Sequence, residues 1–298
     1  LLPFELKMLK VNQLYSPMNF GPVFLKILNI KFILALHSNL PWVFFNSMPG
    51  NKLRNILTKF IMERSIFASD ILIVDSKFAK SELVKILKIN ENKIKVIYLG
   101  IDSKYLNESK NDHYIENLNY KDYIISVLSC VRYHNIITLL KAFKLLKKDK
   151  HPNLKLVFVM QILDHEYFLE IERFVDKNFD DGEIIFLHNL NNNYLVNLYK
   201  KAKFYIFSSY CEVFGLTSLE AMSQGCPVMI SDCSALPEIN EKGAIYFNPD
   251  NELEIKKIMS DILVDHGFRN NLIAAGRIQC KKYTWENTVK ESLKTLNI

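Results

Sequence analysis

No two of the five cysteines, Cys130, Cys211, Cys226, Cys233 and Cys280, form a C-x-x-C pair, and their number is odd. That argues against a zinc site and a disulfide framework and fits a reducing compartment. The seven histidines also lack metal-ligand spacing, so neither a metal nor another cofactor is expected. No G-x-G-x-x-G follows any run that reads as a strand, which argues against a dehydrogenase. The apolar region from Phe20 to Phe45 is interrupted by Lys26, Lys31, His37, Asn39 and Pro41, so it makes a poor transmembrane span. It reads better as two buried elements around a turn. The start, Leu1-Leu2-Pro3, has neither a methionine nor a signal-peptide layout. The net charge of +6 is modest for a nucleic-acid binder and no recognition motif accompanies it, so nucleic acid is not expected as a partner. Repeats and low-complexity tracts are absent too.

What is present is an α/β pattern. The 298 residues suffice for two domains. Short apolar runs alternate with amphipathic stretches, which signals layered α/β structure. Strands are predicted at Ile33–Leu36, Ile71–Val74, Lys95–Tyr98, Tyr123–Val127, Lys155–Val159, Ile184–Leu187, Phe204–Phe207, Pro227–Ile230 and Ala244–Phe247. The polar segment Asp102 to Asp122 reads as a linker, which puts a domain boundary between residues 118 and 119.

Charge is uneven. Residues 1–120 hold 16 basic and 10 acidic side chains, so this part carries the whole surplus. Within it, Asn51 to Phe67 puts Leu53, Ile56, Leu57, Phe60 and Ile61 on one helical stripe, with Lys52, Arg54, Lys59 and Arg64 mostly elsewhere. Such a helix packs its apolar stripe on its own sheet and leaves a solvated basic face. That face also suits contact with an anionic membrane.

The most informative stretch is Ser208 to Ile239, SSYCEVFGLTSLEAMSQGCPVMISDCSALPEI. It reads as strand end, glycine-bearing loop, short helix, stop at Gly225-Cys226-Pro227, and buried strand. Glu212 lies in the loop and Glu220 in the helix. Phe214-Gly215-Leu216 carries free backbone N–H groups into the helix start, a natural seat for a phosphate. The two carboxylates can hold hydroxyls on either side of it, as a nucleotide-sugar requires. A plainer reading stands beside this one. Thr217-Ser218-Leu219-Glu220 is also a capping-box pattern, and Glu212 alone can be an ordinary loop acid.

The segment resembles the E-x7-E signature of retaining glycosyltransferases of family 4, the group 1 enzymes of the GT-B fold. Asp70 to Phe78, DILIVDSKF, resembles the family's "AD-strand-S-x-F" segment, and Lys95 to Asp102, KVIYLGID, its "V-I-x-N-G-I-D". Asn135 to Phe143, NIITLLKAF, resembles the helix after the family's phosphate loop. Ile184 to Asn189, IIFLHN, and Ala244 to Asp250, AIYFNPD, fall in family order. The resemblance implies two Rossmann-like domains facing across a cleft, the first incomplete. The family's glycine-rich first loop and opening strands are missing, as in a truncated sequence; the alternative is a compact variant. The expected division is an acceptor-side domain over 1–118 and a donor-binding domain over 119–282. A helix over 283–298 then returns toward the first domain.

By the same resemblance, Glu220 holds the donor ribose, and Glu212 contacts the transferred sugar. Phe214, Gly215 and Leu216 offer backbone N–H groups, and Leu190, just beyond IIFLHN, joins the donor set. The loop Ser126 to Asn135 departs from the family pattern: Leu128 takes the usual small position, Ser129 a position often held by arginine, and His134 that of a frequent lysine. Those cations normally balance the leaving diphosphate. Arg132 is the nearby replacement, and His134 donates as a neutral or charged ring, or is simply a loop histidine. His37 aligns with a histidine that often faces the family's cleft; the alternative is a satisfied histidine beside Trp42. Ser129 and His134, Met160, His188 and Glu212 are all expected just beyond strand ends, where open α/β sheets bind ligands.

The expected activity is retaining, metal-independent transfer of a hexose from a nucleotide-sugar to a cell-envelope glycan or lipid-linked acceptor. Its expected place is cytoplasmic, with peripheral contact at the inner face of the membrane. The alternative is a nucleotide-sugar-binding, catalytically weak homologue.

Overall fold

The structure, a computed structural model, describes residues 2–106, 122–151, 153–190 and 192–297. They fall into two compact units, Leu1–Gly100 with Trp285–Ile298, and Ile101–Thr284. The expected boundary at 118/119 lies outside the described residues. Ile101 instead groups with the second unit, where it bridges to Thr284 in parallel.

The first unit holds a parallel sheet of β1 (Gln13–Ser16), β2 (Lys31–Leu36), β3 (Ile71–Val74) and β4 (Ile94–Val96), in that order. β2 is buried along almost its whole length, as a parallel strand covered on both faces must be. β1 is absent from the sequence expectations: four residues without an apolar run carry no strand signal. Of the two elements expected between Phe20 and Phe45, only β2 is a strand. The other is the 3-10 turn Leu25–Leu28, which buries Leu25. The Trp285–Leu296 helix packs Leu296 against Ile33, Ala35, Ile73 and Ile97.

The Lys52–Ala68 helix starts as its sequence dictates, with the Asn51 side chain accepting from the Leu53 N–H. Its orientation overturns the expected packing. Leu53 is 73% exposed, Leu57 56% and Phe60 52%, while Asn55, Met62, Ser65 and Ile66 are buried. The inward polar groups meet local carbonyls: Ser65 Oγ donates to Gly21 O at 3.0 Å and Asn55 Nδ2 to Met48 O at 3.3 Å. The strongest apolar stripe therefore shares the outer surface with Lys52 and Arg54.

The second unit is a six-stranded parallel sheet of β5 (Tyr123–Cys130), β6 (Lys155–Ile162), β7 (Ile184–Leu187), β8 (Tyr205–Phe207), β9 (Val228–Ser231) and β10 (Ala244–Phe247). Their order is β10-β9-β8-β5-β6-β7. Counted from β5, this is the doubly wound order in which the chain reverses direction between the first and fourth strands. β5 is central and almost wholly buried. It runs to Cys130, three residues beyond the expected end, and β6 runs to Ile162. Ser129 and Met160 accordingly lie within strands rather than after them.

Candidate active site

The switch point lies between β5 and β8, and their carboxyl-terminal loops are tied together. The Tyr210 N–H donates to Tyr133 O at 2.8 Å, and Ser208 Oγ donates to His134 O at 2.8 Å. After β5 comes the 3-10 turn Arg132–His134. Asn135 follows in a left-handed conformation, its Nδ2 donating to Pro249 O at 2.7 Å. This turn drops His134 into the interior, 6% exposed, edge-on to Tyr133 and Phe207 with ring centroids 4.6 and 5.2 Å away.

His134 faces two acceptors. Nδ1 lies 2.6 Å from Ser129 O, which can only accept, and Nε2 lies 3.1 Å from Glu212 Oε1. Nδ1 therefore carries a hydrogen. The contact to Glu212 is a hydrogen bond when a second proton sits between ring and carboxyl. Glu212 is fixed through its own backbone: its N–H donates to Ser234 Oγ at 2.8 Å and its carbonyl accepts from the Ala235 N–H at 3.1 Å. Its carboxylate stays partly exposed at 22%, available to a ligand. Ser129 thus contributes a carbonyl from within β5, not a side chain after it.

Gly215, at a φ of +93°, opens the Leu216–Ser223 helix without a side-chain cap. A Cβ at this position would lie 2.6 Å from Leu236 Cδ2. Gly215→Ala combines a disfavoured backbone with that clash, so a loss of about 2 kcal/mol is expected in chemical denaturation. Because the helix begins at Leu216, Thr217 lies inside it and cannot act as the cap of the expected capping box. Ser218 Oγ donates back to Gly215 O at 2.8 Å.

Glu220 turns elsewhere, accepting from the Tyr199 hydroxyl at 3.3 Å. Burial pushes its carboxyl up to about 7, against the pull of that hydrogen bond. Phe214 is a packing residue, 2% exposed and edge-on to Tyr283 at 5.4 Å, so its side chain is turned to the core.

Two expected donor residues stand apart. Arg132 is committed to Glu170 at 2.9 Å and Asp164 at 3.8 Å, with its guanidinium over the Tyr167 ring. It faces the His165–Asn178 helix and its cap rather than Glu212. Leu190 follows edge strand β7, two strands removed from β5 and beside exposed His188, whose Nδ1 meets Met160 O at 2.9 Å.

In the first unit, His37 follows β2 and lies level with Asp75, which follows β3. Its Nδ1 is 2.9 Å from Asp75 Oδ1, and its N–H donates to Asn19 Oδ1 at 2.6 Å. The Asp75 carboxylate holds the imidazole above its usual range, and burial raises Asp75 in turn. Trp42 is engaged separately, donating to Glu63 at 2.8 Å. The pair lines a cavity of about 310 Å³ with Tyr15, Ile97, Trp285 and Val289. Asp75 was missed in the sequence reading. The register of the sheet brings it in: β2 pairs β3 with Leu36 against Val74, so the next residues, His37 and Asp75, come level.

Comparison with known proteins bears on the family and the fold. Residues 108–279 match the family model of glycosyl transferases group 1, and residues 9–105 that of glycosyltransferase family 4. The O-antigen chain mannosyltransferase RfbU of Salmonella typhimurium is 25% identical over 250 residues, covering 80% of this chain and 67% of its own length. The uncharacterized glycosyltransferase MJ1607 of Methanocaldococcus jannaschii is 30% identical over 78% of this chain. The chain spans 61% of that relative and 29% of the serotype-specific mannosyltransferase WbdA of Escherichia coli. Among solved structures, Anabaena Alr3699/HepE in complex with UDP and glucose superposes with a TM-score of 0.80 at 15% identity, covering 99% of this chain and 81% of that one. Sucrose-phosphate synthase from Thermosynechococcus elongatus gives 0.74 at 22% identity, covering 90% and 68%. These likenesses establish the GT-B type of fold. With the two sheets, the paired glutamates and a family model spanning more than half its residues, the chain belongs to the group 1 glycosyl transferases.

Proposed function

We propose that the chain transfers a hexose from a nucleotide-sugar to a glycan or lipid-linked acceptor of the cell envelope, with retention and without a metal. The observation that carries this reading is the placement of Glu212 at the switch point, with Gly215 opening the helix that bears Glu220. Glu220 is half-buried beside a hydroxyl donor and suits a ribose; Glu212 is partly exposed beside His134 and suits the sugar and its departing diphosphate. The departing phosphate then takes the acceptor proton on the same sugar face. Relatives named as mannosyltransferases make mannose the first sugar to test. Thermal denaturation with UDP, GDP, ADP and dTDP is the direct experiment, and a saturable rise with one of them is expected. No shift with any would sink the donor site.

A second reading has one observation in its favour. Ser129 lies in a strand and Arg132 is paired with acids, so neither places a fixed cation beside Glu212. A nucleotide-sugar-binding, catalytically weak homologue would keep nucleotide affinity. It would lack acceptor-dependent release of nucleoside diphosphate.

For the acceptor we propose peripheral contact with the inner face of the cell membrane. Among the described residues, no helix is long and apolar enough to cross a membrane. The Lys52–Ala68 helix shows exposed Leu53, Leu57 and Phe60 together with Lys52 and Arg54. Such a surface binds anionic vesicles reversibly, each cation near the surface contributing roughly 1 kcal/mol. Exchanging Lys52, Arg54 and Lys59 for glutamate is expected to abolish sedimentation with anionic vesicles at low salt and to leave nucleotide binding intact. Unchanged sedimentation would make a soluble acceptor the better reading.

A further inference from the structure

Glu220 is flanked by two phenols from distant parts of the second unit, one of them hydrogen-bonded to it. Tyr199, fully buried on the Asn192–Lys201 helix, donates its hydroxyl to Glu220 Oε2 at 3.3 Å. Tyr105, 3% exposed on the Ser103–Leu106 turn, packs its ring against Tyr199 on the same side of the carboxyl. The two rings meet edge to face, centroids 6.4 Å apart, and Gln224 Nε2 holds the Tyr105 carbonyl from the end of the Glu220 helix. Tyr205 backs Tyr199 at 6.0 Å, and its hydroxyl shares a hydrogen bond with the Thr217 hydroxyl at 2.8 Å. The other charged groups near the carboxyl are Lys104 and Asp102, which pair with each other at 2.7 Å. Burial raises both phenols, so they remain hydroxyl donors throughout the working range.

We propose that Tyr105 and Tyr199 are positioning residues that aim the Glu220 carboxylate at the donor ribose. The proposal rests on the reading of Glu220 as the ribose-binding group. A carboxylate that accepts from a ribose hydroxyl must be ionised and must present one oxygen outward. Phenol donors on its inner side favour both conditions and offset part of the effect of burial, because a hydrogen bond to the charged form favours that form. Without them burial alone would favour the neutral acid, which no longer presents two acceptor oxygens.

Tyr105→Phe and Tyr199→Phe keep ring packing and remove one hydroxyl each. Each is expected to weaken nucleoside diphosphate binding about tenfold at pH 6.5. The difference shrinks to about threefold at pH 8.5, where the carboxyl is ionised in both proteins. The Glu220 carboxyl resonance of the ligand-free, 13C-labelled protein reads the same effect without any nucleotide. Its titration midpoint is expected to rise by about one pH unit in each variant. A midpoint that does not move, or an affinity ratio equal at the two pH values, overturns the proposal and leaves the phenols as packing. Absence of nucleotide binding by the parent protein would overturn the donor reading instead, and the resonance would still decide the role of the phenols.

Discussion

Glu220→Gln is expected to stabilise the second unit at pH 8 while weakening nucleoside diphosphate binding by more than tenfold. The sign follows from burial. The carboxyl is raised from 4.5 to about 7 in the folded protein. Between those values the native state holds a proton that the unfolded chain has released. Stability therefore falls as pH rises through this window and levels off above the folded value. The accumulated cost is on the order of 3 kcal/mol once both states are ionised. A neutral amide removes most of that cost and still accepts a hydrogen bond from Tyr199, so a gain of about 2 kcal/mol is expected at pH 8 and little at pH 4. Denaturant titrations at the two pH values measure this. A Gln variant that is less stable at pH 8 would show that the buried charge is compensated in the fold and carries no strain for function. Stability lost to a ligand-binding group is a common exchange at functional sites.

Glu212→Ala is expected to lower turnover by on the order of a hundredfold while leaving nucleoside diphosphate affinity within about threefold. His134→Ala should fall in the same direction, because the ring that orients Glu212 is lost. The double variant should be little worse than Glu212→Ala alone. The two side chains are joined at 3.1 Å, and groups acting as a unit are not additive. Turnover with acceptor and calorimetric titration with nucleoside diphosphate separate the two quantities. Additive losses would show that His134 acts apart from Glu212. Equal losses of nucleotide affinity in the Glu212 and Glu220 variants would refute the division between sugar and ribose.

The strands of the second unit were legible because each is a short apolar run between turn residues, as at Tyr205–Phe207 and Val228–Ser231. The loop bearing Glu212 and the glycine at 215 were legible for the same local reason. The face of the Lys52–Ala68 helix was not: its apolar stripe lies outward, and Ser65 and Asn55 point inward to loop carbonyls. Arg132 was a cation of the right sign at the right place in the chain. Asp164 and Glu170, on a later element, turn it away.

By itself the sequence determined every described strand except β1, the glycine that opens the Glu220 helix and which family the chain resembles. All of these depend on neighbours within a few residues, where apolar period, glycine and proline act directly on the backbone. Only the tertiary structure decided the chemical state of the candidate groups. His37 meets Asp75 through the register of two parallel strands, 38 residues apart in the chain. His134 meets Glu212 across 78 residues because their strands adjoin at the switch point. Glu220 is raised because the surrounding core excludes water from it, against the pull of the Tyr199 hydroxyl. Charge and hydrogen bonding depend on distance in space and on exclusion of water, and neither is set until the sheets have formed.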